Sequence, residues 1–173
     1  YKESNFFLKK DNIFQKTLET FKKYFTWKKN FKVTLTKNIP IGAGLGGGSA
    51  DAATLLLGLR YLYNKQNKFL IKIKDLIELG QEIGSDVPAC IYSKSIIISG
   101  KGEKILPAKT PNNKKFLIVF PSVSLPTKRV FQLFNFNKNN NFNEQLFNDI
   151  PITNALLMTA MEIEPKIKEV LIL

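Results

Sequence analysis

The sequence has no histidine. That absence removes a His general base, a Ser-His-Asp hydrolytic triad and His-containing zinc sites, so any chemistry falls to carboxylates, lysines and backbone. A single cysteine, Cys90, can form no intramolecular disulfide, which fits a reducing compartment. In its apolar setting it reads as core rather than nucleophile. There is no secretory signal, and no apolar run approaches the roughly 18 residues that span a bilayer, so the expectation is a soluble chain with no membrane partner. The chain opens on Tyr1 rather than Met and closes on the apolar, uncapped Leu171-Ile172-Leu173, and it reads as cut at both ends.

Hydrophobic residues are plentiful at 44%, which favours a packed core over disorder, and 173 residues allow one domain or one and a fraction. Acidic residues are scarce: 14 against 26 Lys and Arg give a net charge of +12. Such a balance attracts phosphorylated ligands or nucleic acid. The lysines are scattered, however, and tracts such as Lys138-Asn139-Asn140-Asn141 are equally explained by a compositional bias toward Lys and Asn. No platform of interleaved aromatic and basic residues supports a nucleic-acid reader, so acidic small substrates are the expected partners.

Glycine is concentrated rather than abundant. Five of the ten glycines lie in Pro40-Ile41-Gly42-Ala43-Gly44-Leu45-Gly46-Gly47-Gly48-Ser49-Ala50-Asp51-Ala52. Before it, residues 31–36 alternate apolar and polar like a half-buried strand; after it, residues 50–63 are rich in Ala and Leu like a helix. Strand, glycine loop and helix in that order suit a phosphate, because backbone without Cβ can curl round an anion and a helix N-terminus favours negative charge. A Walker loop is excluded, since no Gly-Lys-Ser/Thr follows. The Gly42-x-Gly44-x-x-Gly47 match to a dinucleotide fingerprint is weak, because Pro40 separates the loop from the strand and the expected acid about 20 residues on is absent. A purely structural turn rarely needs five glycines. Ser49 and Asp51 admit a local reading as helix cap and first-turn acid; Ser49 is otherwise a ligand for a triphosphate or its Mg²⁺, and Asp51 stays undecided.

The remaining chain reads in order as follows. Residues 12–24 place Ile13, Phe14, Thr17, Leu18, Phe21 and then Phe25 near helical spacing, an amphipathic core helix. Ala52, Leu55, Leu56, Leu59 and Leu62 form the apolar face of the long helix. Residues 74–83 form a helix stopped by Gly84, and Pro88 opens a short one through Tyr92, leaving Asp86 in a tight connection where capping is its local explanation. A hairpin is expected from 95–99 and 103–106 around Gly100-Lys101-Gly102, a linker over 107–113, and a strand over 115–120. Asn135 to Asn148 reads as an insertion loop or disordered bulge, residues 154–162 as a helix, and Pro165 as the start of another.

Pro40-x-x-x-Gly44-Leu45-Gly46-Gly47-Gly48-Ser49-x-Asp51-Ala52 resembles the phosphate-binding motif of the galactokinase, homoserine kinase, mevalonate kinase and phosphomevalonate kinase (GHMP) superfamily. Within it, the triple glycine followed by Ser-Ala-Asp-Ala-Ala is most similar to the 4-diphosphocytidyl-2-C-methyl-D-erythritol kinase family. Gly84-Ser85-Asp86-Val87-Pro88 and Pro121-Ser122-Val123-Ser124-Leu125-Pro126-Thr127 agree with it in order and spacing, and the similarity runs through most of the chain from about Asn12 onward. The resemblance implies an α/β (α+β two-layer) fold, with an ATP-binding kinase domain over 1–110 lacking its first strands and a truncated α+β substrate domain over 111–173.

It further implies ATP-dependent phosphorylation of a 2-hydroxyl on cytidine diphosphate methylerythritol, in the non-mevalonate route to isoprenoid precursors, in a bacterial cytoplasm or a plastid-type stroma. Asp86 would be the catalytic carboxylate; Pro40, Gly42, Gly44, Leu45, Gly46, Gly47, Gly48 and Ser49 would hold ATP, with Mg²⁺ bridging its phosphates and no side chain assigned as a dedicated metal ligand. Phe131 would stack on the cytosine beside Thr127. The family's Pro-Ala-Lys-x-Asn-Leu strand, whose lysine assists phosphoryl transfer, and its closing Gly-Ser-Gly-rich motif fall outside the sequence, so the chain alone is expected to be nearly inactive; the family's Asn-Asp pair would here be Asn154-Ala155, which leaves no such acid. Another small-molecule GHMP kinase, a basic nucleic-acid-binding domain and an inactive structural remnant are the alternatives.

Overall fold

The computed structural model describes residues 12–171 except 31, 101, 110–114, 116, 135–144, 148, 149 and 153. Asn12 caps the first helix, α1 (Ile13–Tyr24), its side-chain oxygen accepting from the Gln15 N–H at 2.9 Å. The expected periodicity is realised: Phe14, Thr17 and Phe21 are buried on one face, with Ile13, Leu18 and Phe25 packed at its margin. α2 (Gly47–Gln66) follows, then α3 (Ile73–Ile83) and α4 (Val87–Tyr92). These four helices share one core in which Phe21, Leu56, Ile71, Leu76 and Val87 are almost fully buried. Each such side chain contributes about 1.5–3 kcal/mol relative to exposure. Phe25, Trp27 and Tyr63 extend the core as an aromatic cluster around Phe21, in tilted and edge-on pairs with centroids 5.0 to 6.3 Å apart.

The connection from α2 to α3 is fixed by side chains. Arg60 Nε and Asn64 Nδ2 donate to the Ile71 carbonyl at 2.8 and 3.0 Å, and Asn64 Oδ1 accepts from the Ile71 N–H at 2.9 Å. Ile71 is thereby sealed into the core with its backbone satisfied. Gly84 ends α3 as expected, yet in an extended conformation (φ −178°), its N–H reaching the Gly80 carbonyl at 3.0 Å.

Two antiparallel hairpins make up the sheet content of the described residues. β1 (Ile96–Ser99) pairs with β2 (Lys104–Pro107), aligning Ile97 with Leu106; β3 (Gln145–Phe147) pairs with β4 (Ile150–Ile152). The first is the hairpin the sequence suggests, except that Pro107 closes β2 instead of starting a linker; residues 110–113 of that linker lie outside the described residues. The second falls partly in the stretch expected to be a loop, and residues 135–144 and 148 of that stretch lie outside the described residues. α5 (Thr127–Leu133), α6 (Leu157–Ile163) and α7 (Lys166–Leu171) complete the chain, which is of mixed α+β type.

Two expected strands are not formed among the described residues. Residues 32–36 and 117–120 are irregular, with residues 31 and 116 outside the described set. A strand exists through its neighbour's hydrogen bonds, and among the described residues neither segment joins a ladder. Val33, Leu35, Leu117, Ile118 and Val119 are accordingly exposed.

Two compact units are present: residues 1–36 with 46–114, and residues 37–45 with 115–173. They interleave along the sequence, whereas the sequence reading draws one boundary after residue 110. No helix among the described residues is long and apolar enough to cross a membrane.

Candidate active site

The glycine stretch divides between the two units. Residues 46–49 open α2 in the first, and residues 37–45 belong to the second. Gly46 is the N-cap of α2 in a left-handed conformation (φ 66°), so Gly47, Gly48 and Ser49 are already its first turn. This corrects the cap reading of Ser49, which sits inside the helix, and the first-turn-acid reading of Asp51, which lies beyond the first turn. The N–H groups of that turn have no intrahelical acceptor, and no side-chain cap bond satisfies them at Gly46. They carry the positive end of a 20-residue helix dipole.

In the second unit, Gly42 and Gly44 are also left-handed (φ 75° and 72°). Gly42 is pinned as well: its carbonyl accepts from the Leu125 N–H at 3.4 Å, and a Cβ there would overlap Ser124 Oγ. The segment 121–127 singled out in sequence therefore lies against the front of the loop, with Ser122 itself left-handed (φ 58°). Within it, Ser124 and Leu125 meet Gly42, a contact that the sequence reading did not assign. Pro40 is half-buried, and Ile41 and Leu45 are exposed. Thr127 and Phe131 stand one turn apart on α5 and share a face, where Phe131 is 61% exposed while Val130 on the other side is buried. A flat ring presented to solvent on a short helix can stack; it is not part of the core.

Asp86 occupies the N-cap position of α4 but makes no capping hydrogen bond. The carboxylate is exposed, and its recorded partner is the adjacent Ser85 hydroxyl, at 3.4 Å. Capping is therefore not its role. Its neighbour Val87 is buried in the same cluster as Ala52 and Ala53 from the beginning of α2, so α4 and the glycine-led end of α2 are packed on one core. Cys90, one turn further along α4, is half-buried against that core as expected; burial first, and the Asp86 carboxylate second, push its thiol pKa up. A thiol so disfavoured as thiolate is not an activated nucleophile.

Among the described residues no three acidic, Cys or His side chains converge as a metal cage. Mg²⁺ ordinarily takes most of its ligands from phosphate oxygens and water and needs no such cage.

Residues 12–94 match the family described as GHMP kinases N terminal domain. The chain is 44% identical over 108 residues to the 4-diphosphocytidyl-2-C-methyl-D-erythritol kinase of Buchnera aphidicola subsp. Schizaphis graminum, covering 62% of this chain and 35% of that one. With the enzyme of the same name from Bacillus cereus (strain B4264) it shares 39% identity over 127 residues, covering 73% and 43%. It spans less than half the length of these relatives. Its fold superposes on a crystal structure of 4-(cytidine 5'-diphospho)-2C-methyl-D-erythritol kinase with a TM-score of 0.67 at 27% identity, covering 92% of this chain and 60% of that one. In motif, in sequence from 12 to 94 and in fold, the chain resembles the 4-diphosphocytidyl-2-C-methyl-D-erythritol kinases of the GHMP superfamily.

Proposed function

We propose that this chain carries the nucleotide loop and the proton-accepting carboxylate of a kinase that transfers the γ-phosphoryl group of ATP to the 2-hydroxyl of 4-diphosphocytidyl-2-C-methyl-D-erythritol, a step toward isoprenoid precursors. The observation that supports it most is the pairing, in one packed unit, of an uncapped glycine N-terminus on α2 with an Asp86 that holds a cap position without capping. Residues Gly42 to Ser49 bind and orient the triphosphate through backbone N–H groups. Mg²⁺, when bound, supplies charge neutralisation between the phosphates. Asp86 accepts the proton of the attacking hydroxyl, and Phe131 with Thr127 receives the cytosine ring. Residues 1–110 would then serve chiefly the nucleotide and 111–173 the acceptor. A soluble compartment holding ATP and reduced thiols, such as a bacterial cytoplasm, suits the lone Cys90.

Phosphoryl transfer rests on positioning and charge, so its parts separate experimentally. The chain itself should bind ATP saturably. Turnover is measured in a chimera whose flanking segments come from the Bacillus cereus relative, because the assisting lysine motif of the family is not in this sequence. There Asp86→Asn should lower kcat by roughly 10²–10⁴-fold with nucleotide affinity retained. Undiminished turnover in that variant would remove Asp86 from the mechanism, and absence of saturable ATP binding would remove the loop.

A further inference from the structure

Because the Asp86 side chain makes no capping bond, its position is set by the backbone of the turn 84–86 that carries it. That turn is held from its two ends. The Val87 N–H bonds to the Gly84 carbonyl at 3.1 Å, and Lys16 Nζ, reaching across from α1, donates to the Ile83 carbonyl at 2.8 Å. A third restraint comes from the tip of the β1–β2 hairpin. Gly102 is buried although the strands on either side of it are largely exposed, with Ile97 at 42% and Leu106 at 61%. Its φ is +97°, and a Cβ added to it would overlap the Ser85 carbonyl oxygen while standing 3.2 Å from the carbonyl carbon and 3.4 Å from Cα. Backbone meets backbone here, so no rotamer change relieves the crowding.

We propose that Gly102 is a positioning residue for Asp86: the hairpin tip closes onto the Ser85 peptide and thereby fixes where the next residue's carboxylate stands. The mechanistic weight of this rests on Asp86 being the proton acceptor, but the placement itself does not. A hairpin whose strands bury little is explained by what its turn touches. Gly100 in the same turn provides the contrast, since it too is left-handed (φ 70°) yet the nearest atoms to an added Cβ are the carboxylate end of the Glu103 side chain and not backbone.

The test reads the turn without requiring activity. Cys90 lies one turn after Asp86, its N–H bonded to the Asp86 carbonyl at 3.1 Å, and its thiol responds to the carboxylate. The pH dependence of Cys90 alkylation is measured in the wild-type chain, Asp86→Asn, Gly102→Ala, Gly100→Ala and the Gly102→Ala/Asp86→Asn double variant. Asp86→Asn should lower the titration midpoint, Gly102→Ala should move it toward that value, and Gly100→Ala should leave it in place. In the double variant Gly102→Ala should add nothing. A midpoint unmoved by Gly102→Ala, moved equally by Gly100→Ala, or moved equally with Asn at 86 would overturn the proposal. Should Gly102→Ala not fold, the wild-type chain still decides: a nuclear Overhauser contact between the Hα protons of Gly102 and Ser85 is expected, and its absence refutes the placement. In the chimera, Gly102→Ala should cost roughly ten- to a hundredfold in kcat with the KM for ATP unchanged. A loss with Asp86→Asn but none with Gly102→Ala counts against this inference alone, whereas no loss with either counts against the assigned role of Asp86.

Discussion

Replacing Gly48 with Ala sets the folding role of the glycine loop against its ligand role. Gly48 is the second residue of α2 and is not left-handed, and a Cβ on it would meet no protein atom within 4 Å. Neither strain nor packing requires glycine there. Alanine should therefore stabilise the nucleotide-free protein by up to about 1 kcal/mol, toward the low end so near the helix start. If the first-turn N–H groups hold phosphate, a methyl group in their approach displaces a hydrogen bond to a charged group, worth about 1.5–3 kcal/mol. At about 1.4 kcal/mol per decade, ATP affinity should fall about ten- to a hundredfold. Urea unfolding without nucleotide gives the first quantity, and titration with a fluorescent ATP analogue the second. The signs must be opposite. A more stable variant with unchanged affinity would show that the glycines serve only the chain's turn. Gly46→Ala is the companion: its left-handed φ predicts a loss of about 1–2 kcal/mol in the nucleotide-free protein.

Leu56→Ala should cost about 2–5 kcal/mol in urea unfolding, since Leu56 is 0% exposed, whereas Leu62→Ala on the same helix, at 39% exposure, should cost well under half of that; equal losses would contradict the packing of α2. The Cys90 thiol, raised by burial and then by Asp86, should react with iodoacetamide more slowly at mildly alkaline pH than in the urea-unfolded chain. Because its folded pKa lies above the unfolded one, the stability it contributes is complete below the unfolded value and is lost as pH rises through the folded value; unfolding free energy that increases over that interval would contradict the sign.

Helices were legible in this sequence because their signals are local. The spacing of Phe14, Thr17 and Phe21 forecast the buried face of α1, and Pro88 forecast the start of α4 to within one residue. The start of α2 was not legible, since three consecutive glycines argue for a loop. First-turn residues contribute unbonded N–H groups in any case, however, and the Ala- and Leu-rich residues that follow carry the helix back through them. Leu62 was misplaced because the apolar face of α2 is buried only where α1, α3 and α4 pack on it. The runs 31–36 and 115–120 were read as strands on pattern alone, but alternation describes a surface that fits a sheet and does not supply the neighbouring strand.

The same distinction separates the parts of the site. Asp86 and the glycines announced themselves because their residue types are strung along short motifs, and the contacts that orient them come from elsewhere in the chain. Ser124 bears on Gly42 and Gly102 bears on Ser85 through approaches that only folding creates. Gly100-Lys101-Gly102 marks the hairpin turn in the sequence, and both of its glycines take the left-handed φ that such turns favour. What the sequence does not show is that Gly102 stands against the peptide before Asp86, where an added Cβ has no room. That close backbone contact is one residue from the carboxylate we propose as the proton acceptor.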